Sequence, residues 1–137
     1  MVFCHEWAQI GDGEMCAVEL SADLKHPVGE PFTLFRASEA KDVSELEAGS
    51  GNYVTDGPFL YREGEKIKMI WSSFLEGRYV ILGASADSIG GVWRHEGSKF
   101  GFDGGHAMLF NTLDGERMIS YHTPNYVDEE RAEFRKF

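Results

Sequence analysis

Acidic and histidine side chains stand at the beginnings of otherwise apolar segments, where they would open onto a cleft rather than a core. His5 and Glu6 follow an apolar stretch at the start of the chain, Asp56 stands before a Gly-Pro pair, and His106 follows a Gly-Gly pair. Carboxyl and imidazole groups donate and accept protons near neutral pH. A cleft holding two carboxyl groups and one or two histidines would suit acid–base chemistry on a sugar, because glycosidic bonds are broken between paired carboxyl groups.

The sharpest local pattern surrounds Asp56, in the string Tyr53-Val54-Thr55-Asp56-Gly57-Pro58-Phe59-Leu60-Tyr61. An acidic residue before Gly-Pro is held on a turn at the entrance of a strand, because proline fixes the backbone that follows. The simpler interpretation is an ordinary Asp-Gly-Pro turn that starts a strand. From this string alone, the simpler interpretation is favoured.

An internal repeat would bring these residues together. Gly13, Gly64 and Gly115 are spaced by 51 residues, and a glutamate follows each of them. A period near 50 residues with about four strands per unit is typical of β-propeller blades. The predicted units are residues 1–52, 53–103 and 104–137 of a single incomplete propeller domain. The matching flanks of the three glycines favour a true repeat over a chance spacing.

In a propeller, equivalent positions on the inner strands converge on one central channel. The 51-residue register places His5 over Asp56 with Glu6 adjacent, and His106 two residues further along the equivalent strand. Propellers usually have about four to eight blades. We therefore expect an all-β fold, a partial β-propeller of about three blades of four-stranded antiparallel sheet. The alternative is an unrelated β-sandwich or small barrel, in which the three glycines would occupy non-equivalent places.

The predicted strands and turns cover the whole chain. Glycine makes up 16 of 137 residues, which fits a chain with many tight turns. Asp12-Gly13 and Asp114-Gly115 predict two-residue hairpin turns, and Glu63-Gly64 is expected in the same role. A thin apolar stripe predicts a loop with one or two helical turns over residues 38–47. Alternating or short apolar runs predict strands over residues 2–9, 14–20, 32–36, 58–62, 66–73, 78–84, 106–110 and 117–122, with a weaker one over 92–96.

Composition excludes several kinds of partner. Thirteen Lys and Arg against 23 Asp and Glu give a net charge of −10. Nucleic acids and anionic membranes need basic patches, so neither is expected as a partner. The start of the chain shows no secretory signal pattern. The localisation is therefore left open, with the cytoplasm as the default expectation. Cys4 and Cys16 are expected as buried thiols rather than as a disulfide.

Four stretches of the chain together resemble the later blades of glycoside hydrolase family 43, in the right order and over nearly the whole length. The first runs from Asp12-Gly13-Glu14-Met15 through Leu20-Ser21-Ala22-Asp23-Leu24 to Gly29-Glu30-Pro31. The second is Thr55-Asp56-Gly57-Pro58-Phe59-Leu60-Tyr61. The third comprises Trp71-Ser72-Ser73, Tyr79-Val80, Ala84-Ser85-Ala86-Asp87-Ser88 and Gly91-Val92-Trp93. The fourth comprises Gly104-Gly105-His106, Asp114-Gly115 and Tyr121-His122.

The resemblance implies roles for three residues. Family members are five-bladed propellers that use an Asp base, an Asp that orients and tunes the acid, and a Glu acid. The acid stands before Gly-Pro, so its role falls on Asp56, where this chain has Asp in place of the usual Glu. Glu6 is the one acidic candidate for the tuning carboxylate and would raise the pKa of Asp56 by like charge. No residue matches the base. His106 resembles the channel histidine, which supports bound water or a cation.

The function implied by this resemblance is inverting hydrolysis of arabinose- or xylose-containing polysaccharides or oligosaccharides. Because the base is missing, the 137 residues are expected to be inactive alone and to need missing upstream blades or a second copy. Trp7, His5, Phe74 and His106 are the predicted contacts to a carbohydrate. No firm metal ligand and no cofactor are expected, apart from a structural calcium or other cation held near His106 through water. The alternative function is a non-catalytic or degenerate carbohydrate-binding propeller module.

Overall fold

A computed structural model of the chain describes residues 1–100 and 103–137. It has ten strands, a four-residue helix α1 over Trp7–Ile10 and one turn of 3₁₀ helix over Ala37–Glu39. No helix among the described residues is long and apolar enough to cross a membrane. The strands are β1 Val2–His5, β2 Glu14–Leu20, β3 Pro27–Arg36, β4 Asp56–Glu63, β5 Lys66–Leu75, β6 Arg78–Ala86, β7 Arg94–Phe100, β8 Gly105–Asn111, β9 Arg117–Thr123 and β10 Arg131–Lys136.

The strands form three antiparallel sheets that follow one another along the chain. Sheet 1 has the order β1-β2-β3, sheet 2 the order β4-β5-β6-β7, and sheet 3 the order β8-β9-β10. Each sheet is a meander that begins with its own first strand, as in a propeller blade. The predicted all-β, partial-propeller fold is confirmed. Among the described residues, sheet 2 has the four expected strands, and sheets 1 and 3 have three each.

The central strands β5 and β6 of sheet 2 are buried over most of their length, which explains their long apolar runs. Side chains alternate across a strand, so Trp71 and Leu82 face sheet 1, where they pack with Phe35. Ile70 and Ile81 point the other way and pack against sheet 3. Two cores therefore fix the three sheets against one another. Trp71 and Trp93 belong to the first core.

Two of the three predicted hairpin turns are wrong. The chain leaves β1 at His5, forms α1 and turns at Gly11, whose φ of 79° requires the left-handed region. Asp12 does not turn there and instead accepts hydrogen bonds from the Ser38 backbone N–H at 3.1 Å and hydroxyl at 2.6 Å. Asp114-Gly115 lies within a five-residue loop between β8 and β9. Long-range contacts and loop length therefore override the local dipeptide signal at both places.

The third predicted turn and the predicted helical segment are close to the structure. Between Glu63 and Lys66 lies a two-residue turn, Gly64-Glu65, in which Gly64 has a φ of 59°. The turn is thus one residue later than expected. The helical turn near residue 38 is shorter than expected and ends at Glu39.

Strand β10 was not predicted from the sequence. Its residues are mainly charged and exposed, and it is the edge strand of sheet 3. Backbone pairing with β9, from Arg131 opposite Thr123 to Lys136 opposite Met118, holds it in place. Charged residues on an edge strand discourage pairing with other chains.

Candidate functional site

The first strands of the three sheets bring the predicted acidic residues and histidine together. Asp56 begins β4, Glu6 directly follows β1, and His106 is the second residue of β8. The strands approach so closely that a side-chain carbon at Gly57 would lie 2.9 Å from the Cα of His106. The 51-residue register therefore predicted this neighbourhood from residues that are 50 or 100 positions apart.

Asp56 accepts hydrogen bonds on both of its carboxyl oxygens. The Tyr79 hydroxyl donates to Oδ2 at 2.6 Å. His106 Nε2 lies 3.0 Å from Oδ1, and the Gly57 backbone N–H donates to the same oxygen at 3.1 Å. These donors come from β4, β6 and β8, so two sheets hold one carboxylate.

Tyr79 is the member of the site that the sequence analysis did not assign. It lies on the third strand of sheet 2, is 3% exposed, and its ring packs 5.2 Å from that of Phe74. The His122 ring stacks on the Tyr79 ring, with centroids 5.6 Å apart and planes at 18°. A buried tyrosine hydroxyl needs a polar partner. That rule could have marked Tyr79 as a candidate, but the sequence does not identify Asp56 as the partner.

The hydrogen bonds set the protonation of Asp56. Burial acts to raise the pKa of this carboxyl, but the hydrogen bonds from His106 and Tyr79 outweigh burial and hold the pKa below its usual value. The like-charge effect expected on Asp56 falls on Glu6 instead. Burial, followed by the charge of Asp56, raises the pKa of Glu6. The lowered pKa of Asp56 is the opposite of what a proton donor needs.

His106 fits the site best as an imidazolium ion. The hydrogen bond to Asp56 raises its pKa. Its Nδ1 lies 3.2 Å from the Tyr79 hydroxyl oxygen, whose proton is directed to Asp56. Both ring nitrogens therefore face an oxygen that can accept, and only the protonated ring has two donors. The residue has a positive φ of 47°, a backbone conformation uncommon outside glycine.

Cys4 lies beside the two acidic residues. One ligand atom each from Cys4, Glu6 and Asp56 lies within 4.8 Å of the others, which is a spacing that could hold a metal ion. Burial, with the charges of Asp56 and Glu6, raises the pKa of the Cys4 thiol to about 12, so the thiol keeps its proton at neutral pH. Calcium takes oxygen ligands, so this trio does not suit it. Cys4 and Cys16 are free cysteines, as expected.

The other predicted sugar contacts have surroundings of their own. His5 Nδ1 is 3.3 Å from Glu14 Oε2, and that glutamate also pairs with Arg36. Trp7 is a partly exposed residue of α1, next to Glu6 in the chain. Phe74 adjoins the site through the ring of Tyr79. The structure thus brings Glu6, Asp56 and His106 together. Phe74 contacts Tyr79 rather than the carboxyl groups, and His5 pairs with Glu14.

The Asp56–His106 pair predicts a pH dependence of stability. A raised histidine pKa stabilises the fold below the usual pKa of 6.5, and that contribution is lost as pH rises through the raised pKa. A lowered aspartate pKa stabilises the fold above its usual 3.8, and that contribution is lost as pH falls through the lowered pKa. We expect the pair to stabilise most between these two limits.

Urea unfolding at a series of pH values measures this effect, together with NMR titration of the imidazole. His106→Gln should remove the loss of stability that follows the rise in pH above 6.5. The same substitution at the exposed His26 is the matched control and should leave the pH profile unchanged. An unchanged profile in His106→Gln would show that the pair does not form.

Comparison with known proteins finds relatives among solved structures. No family model matches the chain, and no curated protein matches it. An endo-arabinase from Bacteroides thetaiotaomicron is 41% identical with a TM-score of 0.93, covering 99% of this chain and 50% of that one. The chain therefore spans about half the length of that structure.

Two further solved structures support the fold. An endo-1,4-beta-xylanase from Bacteroides thetaiotaomicron is 18% identical with a TM-score of 0.73, covering 91% of this chain and 46% of that one. A bifunctional GH43-CE protein from Bacteroides eggerthii is 16% identical with a TM-score of 0.68, covering 98% of this chain and 18% of that one. At these identities the likeness concerns the arrangement of the sheets.

Proposed function

The chain belongs to glycoside hydrolase family 43, and from that premise we propose that it carries part of the active site of a hydrolase acting on arabinose- or xylose-containing polysaccharides. One observation carries the proposal. Glu6 and Asp56, from two sheets, place their carboxyl groups within 4.8 Å of each other, and His106 from the third sheet contacts Asp56. The 41% identity to an endo-arabinase supports arabinan as the first substrate to test.

The spacing of the carboxyl pair limits the mechanism. In an inverting reaction the acid and the base are about 6.5–9.5 Å apart, which leaves room for the attacking water. Glu6 and Asp56 are too close for that. We propose that they form the proton-donating half of the site, and that a carboxylate outside these 137 residues activates the water. The 137 residues alone would then bind sugar without turnover, and further blades or a second copy would complete the site.

Binding and turnover are measured separately to test this proposal. Calorimetry of the chain with arabino-oligosaccharides should show binding, and the natural polypeptide that carries these residues should release sugar from arabinan, arabinoxylan or aryl pentosides. Binding without turnover by that polypeptide would favour the carbohydrate-binding module. Release of inverted product, followed by NMR of the anomeric proton, supports a water-activating base outside the chain. Retained configuration would instead make one of the close pair a nucleophile.

The substrate-contact prediction for Trp7 is tested by Trp7→Ala. Partial exposure beside Glu6 leaves the indole able to stack on a sugar face. Losing such an aromatic contact costs about 1 kcal/mol, or roughly fivefold in Kd. Calorimetry with arabino-oligosaccharides measures it. Tyr126→Ala, which removes a 62% exposed aromatic ring outside the site, is the control and should leave Kd unchanged. Equal affinity of Trp7→Ala and the wild type would remove Trp7 from the sugar-binding residues.

A further inference from the structure

Asp56 is held by hydrogen-bond donors on both of its carboxyl oxygens. Tyr79 donates to Oδ2, and His106 and the Gly57 backbone N–H approach Oδ1. Hydrogen bonds of this kind are stronger to a carboxylate than to a neutral carboxyl group, so the three donors favour the ionised form. The three donors lie on β4, β6 and β8 and approach the carboxylate from two sheets. The geometry therefore keeps Asp56 ionised and fixes its direction.

Glu6 has the opposite surroundings. Its backbone is anchored, because its carbonyl accepts hydrogen bonds from the N–H groups of Gln9 at 2.9 Å and Ile10 at 3.3 Å. Its side chain is exposed, and within the described part of the chain its carboxyl makes no hydrogen bond or ion pair. The carboxyl group lies within 4.8 Å of Asp56 and Cys4. It can carry a proton and turn towards a bound sugar.

We propose that Glu6 is the proton donor to the leaving oxygen, and that Asp56 is the ionised positioning residue that keeps this proton on Glu6. This inference rests on the proposed function and assigns the roles of the two carboxyl groups in the reverse of the order that the sequence resemblance implies. The directions of the pKa shifts agree with it, since the pKa of Glu6 is raised and that of Asp56 is lowered.

The proposed step balances with water as the one further reactant. Glu6 transfers its carboxyl proton to the glycosidic oxygen as the bond from that oxygen to the anomeric carbon breaks, and the oxygen keeps the electron pair. Water adds to the anomeric carbon and gives a proton to the carboxylate base outside this chain. Glu6 then takes a proton from solvent. Asp56 touches neither the leaving oxygen nor the water and acts through its charge and position beside Glu6.

Substrates with different leaving groups show whether the carboxyl pair serves to protonate the leaving oxygen. We compare Glu6→Gln and Asp56→Asn in the natural polypeptide that carries these residues, on arabino-oligosaccharides and on 2,4-dinitrophenyl arabinofuranoside. The dinitrophenolate leaves without protonation. Glu6→Gln should lose about 10²- to 10⁴-fold in kcat/KM on the oligosaccharides but less than about tenfold on the activated substrate. Because Asp56 acts through Glu6, Asp56→Asn should also lose activity on the oligosaccharides and should be largely spared on the activated substrate.

Two further readouts separate this assignment from a merely structural role. Carbon-detected NMR should show the Glu6 carboxyl titrating above its usual 4.5 and the Asp56 carboxyl below its usual 3.8. Glu6→Gln should also remove the high-pH decline of the kcat/KM profile, whereas Asp56→Asn should keep that decline and move it to lower pH, because the charge of Asp56 raises the pKa of Glu6. Glu30→Gln, at an exposed glutamate of β3, is the matched control and should resemble the wild type in every assay.

Results that would overturn the roles of Glu6 and Asp56 differ from results that would overturn the proposed hydrolase function. The assignment of Glu6 is overturned if Asp56→Asn keeps its activity on the activated substrate while Glu6→Gln loses it. It is also overturned if Glu6→Gln keeps full activity on oligosaccharides. In both cases the hydrolase proposal stands. If the wild-type polypeptide cleaves neither substrate, the proposed function is overturned, and this assignment with it.

Discussion

Gly105→Ala is expected to destabilise the chain by about 3 kcal/mol and to displace Tyr79 from Asp56. Gly105 is buried, and a side-chain carbon there would lie 2.7 Å from Tyr79 Cδ1, closer still to Cε1, and 2.8 Å from Ser72 Oγ. The Tyr79 ring cannot retreat easily, because Phe74 packs against it at 5.2 Å and His122 at 5.6 Å. The tyrosine would lose its hydrogen bond to Asp56.

Urea unfolding measures the loss of stability, and the NMR titration of Asp56 reports the displaced tyrosine. Once the Tyr79 hydrogen bond is lost, the pKa of Asp56 should rise from its lowered value. Gly90→Ala is the matched control, since the nearest atom to its added carbon is Phe32 Cε2 at 3.8 Å. That control should change stability by less than about 0.5 kcal/mol. A Gly105→Ala variant as stable as the control would contradict the close packing of Gly105, on β8, against the Tyr79 ring.

Trp71→Ala is expected to cost about 3–5 kcal/mol of unfolding free energy. The indole is 1% exposed, and its ring packs 5.2 Å from Phe35 and 6.0 Å from His95. It lies in the core between sheet 1 and sheet 2, which carry Glu6 and Asp56 respectively. The cavity would therefore weaken the contact that sets the distance between the two carboxyl groups.

Urea unfolding followed by tryptophan fluorescence checks this prediction. Trp7→Ala serves as the control, because the partly exposed Trp7 makes no part of that core and should cost less than about 1.5 kcal/mol. If the two variants are equally stable, the packing of sheet 1 on sheet 2 does not depend on Trp71, and the assignment of this core is wrong.

The sequence predicted the neighbourhood of the site better than its details. Equivalent positions in a repeat must lie in equivalent places, so a 51-residue spacing sufficed to bring Glu6, Asp56 and His106 together. The roles of the two acidic residues could not be read in the same way. They depend on which donors reach each carboxyl group, and one donor to Asp56, Tyr79, lies on a different strand of the same sheet.

The local errors have a common physical cause. Asp12-Gly13 has the composition of a tight turn, yet Asp12 is held by Ser38, which lies 26 residues away. Strand β10 has few apolar residues, and its pairing to β9 comes from backbone hydrogen bonds that carry no sequence pattern. In both places, contacts distant in sequence decide the conformation, so a reading of neighbouring residues alone cannot find it.

The most direct test of the central claim is the rate at which the natural polypeptide carrying these residues releases reducing ends from linear arabinan, measured for the wild type and for Asp56→Asn. If the paired carboxyl groups of sheets 1 and 2 perform glycoside hydrolysis, the wild type should release arabino-oligosaccharides and the variant should be slower by at least about a hundredfold. Equal rates for the two proteins, or no release by the wild type from arabinan, arabinoxylan or aryl pentosides, would contradict it.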